Sequence, residues 1–129
     1  LIKDGVLAPP FNIQFVLGVL GANMFEPDQL IHMLRTAERL FGASNFTWSA
    51  AGVGYPGEFQ IAALAMTLGG NIRVGLEDNL RLRRGNLAKT NCDLIEKAVE
   101  LAALFDRTPA SPAQARAYLG LKGSVDTDF

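Results

Sequence analysis

Three side chains in one short stretch could do chemistry together. In "NIRVGLEDN", Asn71 to Asn79, Arg73 is followed by Glu77 and Asp78. A guanidinium beside two carboxylates is a cluster that can hold a polar ligand or a metal ion, because buried charges persist only when paired or bound. The interleaved Ile72, Val74 and Leu76 predict a buried strand. Side chains alternate along a strand, so Arg73, Gly75 and Glu77 are expected on one face. Ile72, Val74 and Leu76 are expected on the other, packed under helices. Glu77 and Asp78 would then stand at the carboxyl end of the strand. An Arg73–Glu77 pair along the strand, or an exposed edge strand, would explain the same residues without chemistry. Spacing alone names no reaction.

A second candidate is "GVGYPG", Gly52 to Gly57, formally G-x-G-x-x-G between a strand and a helix. Glu77 lies twenty residues beyond Gly57, near where a dinucleotide fold places its ribose-binding acid. A nicotinamide or flavin dinucleotide domain of an oxidoreductase is therefore the rival reading. Pro56 counts against it, removing a backbone N–H where a phosphate wants donors. Thr47 and Ser49 put polar groups on a strand that should be apolar on both faces. Arg73 has no role in that fold. Other residues read plainly. His32 is a surface histidine on the polar side of a helix, Cys92 a packed small residue and Trp48 a core residue beneath helices. Arg81, Arg83 and Arg84 form a basic cluster in a solvated loop. Gln14, Thr47 and Ser49 are either inward-facing polar groups or satisfied core hydroxyls and amide.

The elements that must position these residues follow from periodicity and punctuation. "FNIQFVLGVL" predicts a strand after a Pro-Pro stop. "EPDQLIHMLRTAERLFG" predicts a helix, with Pro27 in its first turn and Gly42 just past its end. "NFTWSAA" is a second strand and "EFQIAALAMTLGG" a second helix. "NIRVGLE" is the third strand. "TNCDLIEKAVELAALFD" is a long helix opened by a Thr90–Asp93 capping box, and "SPAQARAYLG" a short one opened by Ser111–Gln114. Strand centres near 15, 47 and 74 recur about every thirty residues. Alternating strands and helices make a parallel sheet. A small open sheet and part of a (β/α)8 barrel, which takes about 250 residues, both remain open at this point.

Bulk properties narrow the class. The chain has 129 residues, 49% hydrophobic and 19% charged, with a net charge of −1. Its isoelectric point is about 5.8 and its mean hydropathy +0.17. That is globular composition with no basic stripe for nucleic acid. No apolar run in these residues is long enough for a membrane span, and no signal peptide is expected among them. One cysteine allows no internal disulfide and suits the cytoplasm. The chain opens at Leu1, and "LIKDGVLAPP" reads as a helix tail running into a turn. Residues 1–129 are therefore expected to be one piece of a longer chain, its N-terminal part absent.

"RVGLEDN" resembles the signature of the β-keto acid cleavage enzyme family. "DGVLAPPFNIQFVLGVLGA", "FTWSAAGVG", the Gly69-Gly70 pair and "GNLAKTNCDLIEKA" stand in the order that family shows, so the resemblance covers nearly the whole chain. It implies a (β/α)8 TIM barrel, of which this chain supplies the last three strand–helix units. It implies a zinc-dependent, Claisen-type exchange: a β-keto acid and acetyl-CoA give acetoacetate and a new acyl-CoA. It implies that Glu77 is a zinc ligand and that Arg73 and Asp78 are catalytic. In such a barrel Gly52 and Gly54 would let their loop approach substrate or coenzyme A, and a tight turn without a ligand would explain them equally well. The resemblance also implies a homo-oligomer. The family's other zinc ligands are two histidines from an early strand, and nothing in this sequence matches them. A barrel fragment without catalytic activity is the further alternative.

Overall fold

The computed structural model describes residues 2–123. Three parallel strands form the main sheet, in the order β1 (Phe11–Leu17), β2 (Phe46–Gly52), β3 (Asn71–Ile72). Helix α1 (Pro27–Phe41) and a 3-10 turn at Ala43–Asn45 join β1 to β2, and α2 (Gly57–Thr67) joins β2 to β3. A two-stranded antiparallel hairpin follows, β4 (Arg81–Arg83) and β5 (Asn86–Leu87), then α3 (Asn91–Ala103) and α4 (Pro112–Leu119). This is a mixed α/β arrangement with a parallel three-stranded sheet and four helices. Among the described residues β1 and β3 are its edges. No helix among them is long and apolar enough to cross a membrane.

Alternation along the strands divides the sheet into two unlike faces. Phe15 and Leu17 of β1 with Phe46, Trp48 and Ala50 of β2 build the core. Leu30, Leu34 and Ala37 of α1 and Ile61 and Ala65 of α2 pack on the same face. Leu17, Leu30, Ile61 and Leu94 are fully buried, each contributing about 1.5–3 kcal/mol relative to exposure. Trp48 lies over Gly70, where a Cβ would meet its ring at 2.5 Å, and its ring centroid is 5.8 Å from that of Phe15. The opposite face is polar. Asn12 pairs in register with Thr47, and Gln14 with Ser49. Asn12 Nδ2 donates to Thr47 Oγ1 at 2.9 Å and Gln14 Nε2 to Ser49 Oγ at 3.4 Å.

The helix boundaries follow the local signals. Pro27 starts α1 and Gly42 ends it at φ +82°. Both predicted capping boxes form, Thr90–Asp93 on α3 and Ser111–Gln114 on α4.

The third strand is shorter than its apolar pattern predicts. Arg73 N still donates to Ala50 O at 3.0 Å, but the ladder stops there. The Gly75 N–H goes to Glu58 Oε1 and the Leu76 N–H to Asn91 Oδ1. With its donors captured by side chains, the chain turns: Asp78 N and Asn79 N both donate to Gly75 O. Arg73, Gly75 and Glu77 therefore do not share a strand face. The Arg81–Arg84 stretch, expected as a plain loop, is instead the hairpin, turning at Arg84-Gly85 with Gly85 at φ +78°. Its three arginines are exposed, as expected.

Candidate functional site

The carboxyl ends of the three parallel strands meet at one end of the sheet, stitched by backbone bonds between their loops. Val53 N donates to Leu17 O at 2.8 Å and Gly54 N to Asp78 O at 2.7 Å. In parallel α/β folds this is the end where ligands bind, since loops there vary without disturbing the core.

Arg73 is the hub of this end. Its Nε donates to Asp78 Oδ2 at 2.8 Å and its Nη2 to Asp78 Oδ1 at 3.1 Å, a two-pronged pairing. The same Nη2 donates to Glu77 Oε2 at 2.9 Å, and Nη1 to Gln14 Oε1 at 3.2 Å. The bond to Gln14 fixes the guanidinium on the polar face of the sheet, opposite α1 and α2. Hydrogen bonding and charge from Asp78 raise the Arg73 pKa above its ordinary value. The two acids differ. The Asp78 side chain is 6% exposed, that of Glu77 85%. Asp78 is thus a buried counter-charge, and Glu77 faces solvent with one oxygen held and the other open.

Beneath the turn lies a residue that the motif did not reveal. Glu58, in the first turn of α2, is fully buried. Its Oε1 accepts from Gly75 N and its Oε2 from Asn79 Nδ2, both at 2.9 Å. Burial raises its pKa, and the bonds from Asn79 and Gly75 only partly offset this. Asn79 in turn donates to Arg81 O and accepts from Arg81 N. The signal in the sequence was an acid opening an otherwise apolar helix, "EFQIAALAMT", directly after the glycine loop.

The two glycines differ in what surrounds them. Gly52 is buried, and a Cβ there would stand 2.4 Å from Gly57 O, so it lets β2 abut the start of α2. Gly54, at φ +87°, meets nothing within 4 Å on its Cβ side. It borders a cleft of about 380 Å3 with Tyr55, Glu77, Asp78, Leu80 and Arg81. His32 is exposed on α1, on the helix side of the sheet and away from the polar face. Cys92 is exposed rather than packed. Among the described residues no group of three or more His, Cys, Asp or Glu side chains could hold a metal ion. A catalytic zinc usually has three protein ligands, so these residues do not make a zinc site by themselves. Glu77, with an open carboxylate oxygen, fits the part of one ligand.

The geometry also weighs against dinucleotide binding. In the first turn of α2, beside where a pyrophosphate would sit, stands the buried Glu58 carboxyl group, an acid where that fold needs room for an anion.

Comparison with known proteins decides the family. The beta-keto acid cleavage enzyme family matches residues 1–121. The chain belongs to this family. It is 39% identical over 128 residues to the 3,5-dioxohexanoate:acetyl-CoA acetone transferase of Paraburkholderia graminis, covering 99% of this chain and 41% of that protein. It is 39% identical over 121 residues to the 3-keto-5-aminohexanoate cleavage enzyme of Acetoanaerobium sticklandii, covering 94% and 42%. It is 39% identical over 118 residues to the 3-oxoadipate:acetyl-CoA acetyltransferase of Cupriavidus necator, covering 92% and 39%. The chain thus spans about two fifths of the length of these relatives.

Proposed function

We propose that this chain forms the later part of a (β/α)8 barrel in a β-keto acid cleavage enzyme, exchanging a β-keto acid and acetyl-CoA for acetoacetate and a new acyl-CoA. The observation that carries the reading is the Arg73–Glu77–Asp78 cluster at the carboxyl end of a parallel sheet, in a chain of this family. Two of the relatives carry acetyl-CoA in their names.

Each side chain takes a role from its position. Arg73 has five N–H donors and uses four bonds on Asp78, Glu77 and Gln14, leaving one Nη1 hydrogen for an anionic substrate oxygen. Asp78 holds the guanidinium in orientation and, at lone pairs its carboxylate oxygens keep beside the Arg73 bonds, can take or return a proton. Glu77 supplies one ligand to a zinc ion whose remaining ligands come from outside the described residues. A zinc ion held there would supply Lewis acidity toward the keto and carboxylate oxygens of the substrate. Gly54 leaves room for coenzyme A or substrate in the cleft it borders, and Gly52 sets that loop by its tight packing. The enzyme works in the cytoplasm as a homo-oligomer on small molecules, acetyl-CoA and a β-keto acid.

The test uses the native polypeptide that carries this sequence. Metal analysis should find about one zinc per chain, lost in Glu77→Ala, and acyl-CoA should form from a β-keto acid panel with acetyl-CoA. A metal-free wild type, or zinc content unchanged by the substitution, would remove Glu77 from its role. No acyl-CoA from any member of the panel would remove the reaction.

A further inference from the structure

Glu58 is the one fully buried carboxylate among the described residues, and its surroundings are costly for a charge. No lysine or arginine among the described residues forms an ion pair with it. Lys97 acts on it only through space, and Asp78 adds like-charge repulsion. An uncompensated buried carboxylate is poor value for stability, since an apolar side chain of similar size would fill the space at less cost. The helix α2 start softens the penalty through its dipole, but the carboxylate does not cap its own helix. Both oxygens reach across instead to Gly75 and Asn79, 17 and 21 residues away in sequence.

Those two residues are the ends of the turn that presents Glu77 and Asp78. Asp78 N and Asn79 N close the turn on Gly75 O, so Glu58 grips both of its ends. The Gly54 N–H holds it from the glycine loop, through Asp78 O. We propose that Glu58 is the positioning residue of this turn: by accepting from Gly75 N and Asn79 Nδ2 it fixes where Glu77 and Asp78 stand and, through Asp78, how the Arg73 guanidinium is aimed. It touches no reacting group. The inference rests on the catalytic reading above for its kinetic consequence, but not for its structural one.

Glu58→Gln separates geometry from folding. It keeps size and shape, but its amide NH2 meets either Gly75 N–H or Asn79 Nδ2–H, donor against donor. Asn79 cannot turn its amide to suit, because Arg81 N and Arg81 O already occupy both of its ends. In the native polypeptide, amide exchange at residues 75–79 should accelerate roughly tenfold while that of β2 and the middle of α2 is unchanged. kcat should fall roughly 100-fold, the size expected for a misplacement near 1 Å, with KM for acetyl-CoA within about threefold. Asn79→Ala cuts one of the same bonds from the other side and carries the test if Glu58→Gln does not fold; its loss should again fall on kcat. Unchanged exchange at 75–79 in a folded variant would overturn the proposal. So would a kcat per folded molecule equal to wild type in an active enzyme. A wild type that turns over no β-keto acid would sink the catalytic reading, leaving the exchange experiment to judge Glu58 on its own.

Discussion

Replacing Arg73 by lysine tests whether the site needs a planar fork or merely a positive charge. Arginine makes four bonds from three nitrogens to Asp78, Glu77 and Gln14. A lysine nitrogen placed near Nη2 keeps the charge and can reach Asp78 Oδ1 and Glu77 Oε2. It loses the bond to Asp78 Oδ2 and the bond to Gln14. The first is a charge-assisted bond to a buried carboxylate, worth about 1.5–3 kcal/mol, and the second a bond to an exposed amide, worth about 0.5–1 kcal/mol. The Arg73 side chain is 36% exposed, so water softens both losses and a net of about 2 kcal/mol is the reasonable figure. If the fork aims the guanidinium in the transition state, that converts to roughly a 30-fold fall in kcat/KM at 1.36 kcal/mol per decade. Acyl-CoA production by the native polypeptide, read by chromatography at several substrate concentrations, measures it. A lysine variant within about threefold of wild type would refute the reasoning, since charge alone would then suffice.

The glycine loop and the helix caps give further tests. Gly52→Ala sets a Cβ 2.4 Å from Gly57 O, against backbone that cannot swing away, and should cost about 3 kcal/mol. Gly54→Ala meets no neighbour and pays only for its φ of +87°, about 1–2 kcal/mol; urea midpoints in the reverse order would contradict this packing. Thr90→Ala should lower stability by about 1 kcal/mol through loss of the α3 cap. The Asp93 carboxyl of that box is held below its ordinary 3.8 by backbone N–H bonds from Lys89 and Thr90. A group depressed in the folded state contributes its stability above the ordinary value and loses it as pH falls through the folded one. Protection of the first-turn amides of α3, taken relative to their intrinsic exchange rate at each pH, should therefore fall below pH 3.8, and in Asp93→Asn it should show no such onset.

Much of the fold was legible because its signals are local. Apolar alternation marks β1 and β2, the 3.6 period with Pro27 and Gly42 marks α1, and two capping boxes mark α3 and α4. What the sequence hid depends on distant partners. β3 stops early because Glu58 and Asn91, 17 and 15 residues away, take the N–H groups of Gly75 and Leu76. No pattern within "NIRVGLE" announces that. The hairpin at Arg81–Leu87 was masked by charge: three residues of Arg-Leu-Arg are too few to show a period, and only Gly85 marks the turn. Lys97 then ties the hairpin to α3, its Nζ donating to Leu82 O and lying 3.9 Å from the centre of the Phe59 ring. Glu58 was hidden for the same reason, since an acid in a first helical turn is ordinarily satisfied by its own helix.

The early end of β3 is also what allows the site to exist. On a strand, adjacent side chains point to opposite faces, so Glu77 and Asp78 could not both reach one guanidinium. A longer β3 would send one acid toward the helices and the other toward the polar face. In the turn from Gly75 to Asp78 both carboxylates converge on Arg73, one buried and forked, one exposed and half free. Two neighbouring acids and an arginine four residues earlier can therefore form one cluster only off the strand. The sheet supplies Arg73, β1 supplies Gln14 to aim it, and the acids need a break in the ladder. Glu58 and Asn91 make that break by taking the two donors a continuing strand would have used.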